Sequence, residues 1–259
     1  MRETSTAEPG RWLRVLRPSP GDARLVCFPH AGGNSTFYSP WAGLLPPGLE
    51  LAAVRHPGNM ERRSERPSPD VEALADGAAE AILHDGDRPV ALFGHSLGAL
   101  VAYEAARRLE GRGRPPVALF LSGQAAPHHV RRGSVASRDD DDFWAAVTAL
   151  GGIDERVSAH AELRALALPG LRNDFRIAGT YGPRPVHRLR CPVVVFTGDA
   201  DPTHTAAGAA AWKDAARGLF RTRSFPGDHF FLVPWAAEVA AAVAATTAEL
   251  LAAPGTRTR

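Results

Sequence analysis

The sequence predicts an α/β fold, a mostly parallel central sheet flanked by helices, and three observations lead there. Short apolar runs bounded by Gly, Pro and Asp alternate with longer segments whose apolar residues recur at helical spacing. Hydrophobic residues make up 44% of the chain and charged residues 22%, a balance that supports a sizeable core and excludes disorder throughout. At 259 residues the length suits one sheet with an inserted subdomain, so a single domain over 1–259 is expected.

The strand candidates are Leu25 to Phe28, Leu51 to Val54, Val90 to Phe93, Val117 to Ser122, Val193 to Thr197 and Phe220 to Phe225, with Trp12 to Leu16 as an edge. Each is a short β-branched or aromatic run closed by turn residues. Helices are expected over Val71 to His84, Leu97 to Leu109, Ala206 to Ala215 and Trp235 to Leu251, where apolar residues form one stripe. Between the fourth and fifth of the main strands lies a stretch far longer than a crossover needs. It reads as several short helices, an inserted lid over about 127–181. Within it, Asp139 to Asp142 precede FWAAVTAL, where carboxylates satisfy free backbone N–H groups at a helix start. The terminal PGTRTR is expected to fray.

Charge narrows the partners. A formal net charge of +2, with no dense basic run interleaved with aromatics, gives no footprint for nucleic acid. Almost all the positive charge is arginine, Lys213 being the single lysine. Arg62, Arg63 and Arg66, and the pair Arg131 and Arg132, read first as solvated faces and second as sites for an acidic partner or a phosphate. The first residues, MRETSTAEPGR, form no apolar leader, and no stretch has the length to span a bilayer, so a cytoplasmic protein without a membrane partner is expected. Cys27 and Cys191 each sit in an apolar run and read as buried, reduced thiols outside any disulfide framework. Neither an H-E-x-x-H nor a Cys-His ligand spacing occurs among the histidines, and no metal is expected.

The strongest local signal is Gly94-His95-Ser96-Leu97-Gly98, placed directly after the apolar VALF and directly before ALVAYEAARRL. This is the strand-turn-helix setting of a nucleophile elbow, in which the serine occupies a strained tight turn and its neighbours must be small. Ser96 is therefore the candidate nucleophile and the fold an α/β-hydrolase. In that fold the acid and then the histidine follow the serine along the chain. The sequence supplies Gly198-Asp199-Ala200-Asp201-Pro202 after PVVVFT, and Pro226-Gly227-Asp228-His229 after FRTRSF. His229 is the candidate base. Asp199 and Asp201 both suit the orienting acid, the other then being a turn residue that accepts backbone hydrogen bonds. Pro29-His30-Ala31-Gly32-Gly33-Asn34 closes an early strand with small residues and lacks every nucleotide-binding pattern, so it fits an oxyanion loop. The donors would be the backbone N–H groups of Ala31 and Leu97. His30 reads as a structural histidine holding that loop.

With these motifs in place the chain resembles the type II, or editing, thioesterases of polyketide and nonribosomal-peptide assembly lines. The landmarks are CFPHAGG at Cys27 to Gly33, FGHSLGA at Phe93 to Ala99, LFLSG at Leu119 to Gly123, LPGLRNDF at Leu168 to Phe175 and FPGDHFF at Phe225 to Phe231. The resemblance places the triad acid on Asp201. It also implies the substrate, an acyl group held as a thioester on the phosphopantetheine arm of an acyl or peptidyl carrier protein; the chemistry of the three residues needs no cofactor or metal, and a monomer is expected. Two positions depart from the family pattern: Pro57-Gly58-Asn59 stands where Pro-Gly-Arg is usual, and Leu97 where methionine is usual. The same acyl-serine intermediate serves an acyltransferase or cyclase, and a small-ester carboxylesterase would use the same three residues. A hydrolase-like module that only binds acyl carriers is the reading from another class.

Overall fold

The computed structural model describes residues 9–253 apart from residues 22, 134 and 154; the expected fraying of PGTRTR lies outside the described residues. A single turn, α1 (Pro9–Trp12), leads into β1 (Leu13–Arg17), β2 (Ala23–Phe28) and β3 (Leu49–Val54). Then follow α2 (Val71–His84), β4 (Val90–His95), α3 (Leu97–Gly111) and β5 (Ala118–Ser122). The long connection holds α4 (Asp140–Thr148), α5 (Glu155–Ala159) and α6 (Ala161–Tyr181). The chain continues through β6 (Val193–Gly198), α7 (Ala206–Ala210), β7 (Phe220–Phe225) and α8 (Ala236–Ala252).

The strands form one sheet in the order β1-β3-β2-β4-β5-β6-β7, parallel throughout except that β1 pairs antiparallel with β3. Its inner strands are buried along their whole length, as strands with helices on both faces must be. Alternate residues serve the two sides. Val26, Leu92, Leu119 and Val195 pack with α2 and α3, whereas Leu25, Phe93, Phe120 and Phe196 pack with Tyr38, Trp41 and α8. Asp70 caps α2 by accepting the Ala73 N–H, and Asp139 caps α4 by accepting the Asp142 N–H, so α4 begins within the acid run. The segment expected as Ala206 to Ala215 is α-helical only through Ala210 and tightens to a 3₁₀ turn over Ala211–Ala215. In the insertion, Phe143, Trp144, Val147 and Leu171 make a small apolar core of their own.

The parallel register fixes where the chemistry falls. Phe28 lies opposite Gly94 and His95 opposite Ser122, so the loops after β2, β4 and β5 leave the sheet side by side. The loops after β6 and β7 leave from the same edge. Carboxyl ends of parallel strands are where open α/β sheets gather functional loops. Among the described residues, no helix is long and apolar enough to cross a membrane.

Candidate active site

Ser96 stands between β4 and α3 with φ 55° and ψ −120°, a conformation that costs a non-glycine residue energy. The surroundings hold it there. Its N–H donates to the Ser122 carbonyl at 2.8 Å, and its own carbonyl accepts the Ala99 N–H at 2.9 Å. Gly94 and Gly98 allow the close approach: a Cβ at Gly94 would lie 2.1 Å from the Gly98 carbonyl oxygen, and one at Gly98 would lie 2.1 Å from that of Phe28. The start of α3 is thereby pressed against the end of β2. Leu97 opens α3 with its side chain in the core, and its N–H is one of the first-turn amides that a helix leaves without an internal partner.

His229 is buried on the loop after β7, and its Nδ1 lies 2.8 Å from Asp201 Oδ2. The other oxygen of Asp201 accepts the Thr203 N–H at 2.8 Å and the Thr203 hydroxyl at 2.7 Å. Burial by itself would raise the Asp201 carboxyl, but the hydrogen bonds from His229 and Thr203 outweigh it and hold the group below the usual carboxylate range. A carboxylate only accepts, so Nδ1 carries the ring proton and donates it, which leaves Nε2 as the basic nitrogen. Asp199 plays a different part. Its Oδ1 accepts the Gly227 N–H at 2.9 Å and laces the β6 loop to the β7 loop.

Two further histidines border this ring. His95 Nδ1 lies 3.0 Å from Ser122 Oγ, and its ring centroid is 4.8 Å from that of His229. Burial, then the neighbouring His229, pushes His95 well below its ordinary pKa and His30 down to about 4. Both are neutral near pH 7, so neither opposes a positive charge on His229. His30 packs edge-on against Phe37 and Phe230, with centroids at 4.6 and 4.8 Å, and its carbonyl accepts the Gly33 N–H, closing the turn that presents Ala31.

Ser96, His229, Ala31, Thr203, Gln124 and Gly123 line one cavity of about 160 Å³, together with His30, Phe230 and a wall of Val147, Leu150, Gly152, Ile153 and Phe175 from the helical insertion. Two neighbouring recesses share walls with it: one runs past Phe37, Met60, Trp144, Leu171 and Val233, and the other, of mixed lining, runs past Gln124, His129, Leu150, Phe175 and Thr205. The structure thus brings Ser96, Asp201, His229 and Ala31 to one place with the Leu97 amide beside them. Reasoning from the sequence missed Thr203, whose only local signal is its place two residues after Asp201. It also missed Asp174, which lies inside LPGLRNDF as an acid on a helix. Arg62 of the arginine cluster is buried, paired with Glu65 and laid over the Trp12 ring, so it is part of the packing. Among the described residues, no group of three potential metal-binding side chains occurs.

A serine at a strained strand-to-helix turn, at the carboxyl edge of a mostly parallel sheet and sharing a cavity with an Asp-bound histidine, defines the class: an α/β-hydrolase of the serine type. The thioesterase domain family matches residues 23–247, and the chain belongs to that family. It is 44% identical over 223 residues to the probable cadicidin biosynthesis thioesterase of Streptomyces griseus, covering 86% of this chain and 62% of that protein. It therefore spans less than two thirds of that relative. To thioesterase PikA5 of Streptomyces venezuelae it is 41% identical over 228 residues, covering 86% of this chain and 80% of the other. The structure of the type II thioesterase BorB from the borrelidin biosynthetic cluster superposes with a TM-score of 0.85 at 40% identity, covering 91% of this chain and 97% of that one.

Proposed function

We propose that this enzyme hydrolyses acyl thioesters from the phosphopantetheine arm of acyl or peptidyl carrier proteins, clearing stalled or wrongly loaded groups in polyketide or nonribosomal-peptide synthesis. The observation that carries the reading is the Asp201–His229 hydrogen bond at 2.8 Å in the same cavity as Ser96 and Ala31. All three of these relatives are named as thioesterases, two of them of a biosynthetic pathway or cluster, and this supports the substrate class.

In this reading His229 Nε2 takes the Ser96 proton as Oγ attacks the thioester carbonyl, and the Ala31 and Leu97 N–H groups receive the developing oxyanion. Collapse of the tetrahedral species breaks the C–S bond, and the departing sulfur takes the proton from His229, leaving acyl-Ser96. Water then gives a proton to His229 and attacks the ester; the free acid leaves and the proton returns to Ser96. Asp201 holds the imidazole and stabilises its charged form. The helical insertion, about 127–181, serves as a lid over the acyl-enzyme. The recess past Phe37, Trp144 and Leu171 suits an acyl chain, and the hydrogen-bonding groups of Gln124 and His129 in the other suit the amide-bearing arm. In this reading the chain acts as one domain and as a monomer in the cytoplasm.

The test is a panel of acyl-phosphopantetheinyl carrier proteins incubated with the enzyme and with Ser96→Ala, following released acid and enzyme mass. Rapid release that the mutant loses, by about 10³-fold or more, is expected. A persistent acyl-enzyme that clears only with an added alcohol or amine would make the protein a transferase or cyclase. Turnover of free small esters with no preference for pantetheine thioesters would make it a carboxylesterase.

A further inference from the structure

Asp174 lies on α6, in the helical insertion, yet its carboxylate is spent on the loop that carries Ala31. It is buried, and its Oδ2 accepts the Gly32 N–H at 2.9 Å and the Asn59 side-chain amide at 2.6 Å. The fit around it is close. Gly32 has φ +73°, and a Cβ there would lie 2.2 Å from Leu171 Cδ1; a Cβ at Gly170 would lie 2.3 Å from Asn59 Oδ1. One face of α6, Gly170, Leu171 and Asp174, is therefore seated directly on the 30–34 loop and on the 57–62 loop.

We propose that Asp174 is a positioning residue for the reaction, holding the oxyanion loop in its working geometry from the helical insertion. The inference rests on the assignment of the Ala31 N–H as an oxyanion donor. The Gly32 N–H belongs to the peptide immediately after Ala31, so fixing it fixes ψ of Ala31 and the direction in which the whole turn faces. His30 anchors the turn from one side through the Gly33 N–H, and Asp174 anchors it from the other. A hydrogen bond from a backbone amide to a buried carboxylate is among the stronger available, and a buried amide left without it would rotate to find another acceptor. Asn59 completes the arrangement as a neutral donor to the same carboxylate.

Two substitutions at position 174 test the role. Both contacts fall on one oxygen, Oδ2, so Asp174→Asn with its amide oxygen there still accepts from Gly32 and Asn59, whereas Asp174→Leu, of similar size, removes the acceptor. An acyl-pantetheine thioester and a p-nitrophenyl ester serve as substrates, so that no carrier protein is needed. Asp174→Leu is expected to lower kcat by about 10- to 100-fold with KM within about twofold, the signature of a misplaced oxyanion donor. Asp174→Asn should recover most of kcat. Wild-type kcat in Asp174→Leu would overturn the proposal, and so would a loss in Asp174→Leu that Asp174→Asn does not repair at unchanged melting temperature. Failure of the wild-type enzyme itself to turn over either substrate or to label at Ser96 with a phosphonate would instead overturn the serine-hydrolase assignment.

Discussion

Thr203 bonds both members of the proposed acid-base pair. Its hydroxyl donates to Asp201 Oδ1 and lies 3.1 Å from His229 Nδ1, so it fixes the carboxylate plane against the imidazole. Removing it in Thr203→Val deletes one charge-assisted, partly buried hydrogen bond, worth about 1.5 kcal/mol. We expect kcat to fall about tenfold or more with KM little changed, and Thr203→Ser to restore it. Equal kcat in the valine variant would mean that the backbone N–H alone orients the acid. Ser96 offers a second residue-scale test, in stability. At φ 55° serine and alanine are both strained, whereas glycine is not. Thermal unfolding should therefore find Ser96→Gly more stable than Ser96→Ala by about 1–2 kcal/mol, with both inactive.

At the scale of elements, periodicity and punctuation were sufficient. The helix over Val71–His84 and the strand over Phe220–Phe225 have the bounds expected from the pattern, and most other ends move by only a few residues. Those shifts have simple causes. α4 starts at Asp140, earlier than FWAAVTAL, because Asp139 is itself the cap and acids are welcome in a first helical turn. The Ala206 to Ala215 segment changes to a 3₁₀ turn where Trp212 is drawn into the core and its ring N–H donates to the Gln124 carbonyl. The elbow was legible too, since its glycines are a local requirement. What they press against, the carbonyls at the end of β2, was not.

For the whole molecule, acid should be the sensitive condition. His30 and His95 are held neutral in the fold, with ordinary values of 6.5 pushed to about 4 and well below the ordinary value, respectively. Below pH 6.5 the unfolded chain takes up protons that the native chain refuses, so their contribution to stability is present above about 6.5 and is lost as pH falls towards 4. Denaturant unfolding should show that decline, amounting to roughly 3 kcal/mol from His30 alone. In His30→Asn the slope over this window should lessen by about one proton, and an unchanged slope would refute the assignment. Asp201, held low, adds stability that is lost only at still lower pH, as the pH passes through its depressed native value. The sequence by itself determined the order of strands and helices, the elbow at Ser96, the two acids that could serve His229 and the small residues of the 29–34 loop, because each is written in neighbouring positions through periodicity, turn chemistry or motif. Only the tertiary structure decided that Thr203 holds Asp201, that His30 and His95 are buried beside the His229 ring, and that Asp174, 142 residues after Gly32, grips its amide. Such contacts join loops and helices that the sheet brings together, and a hydrogen bond across that distance leaves no mark on the local pattern of either partner.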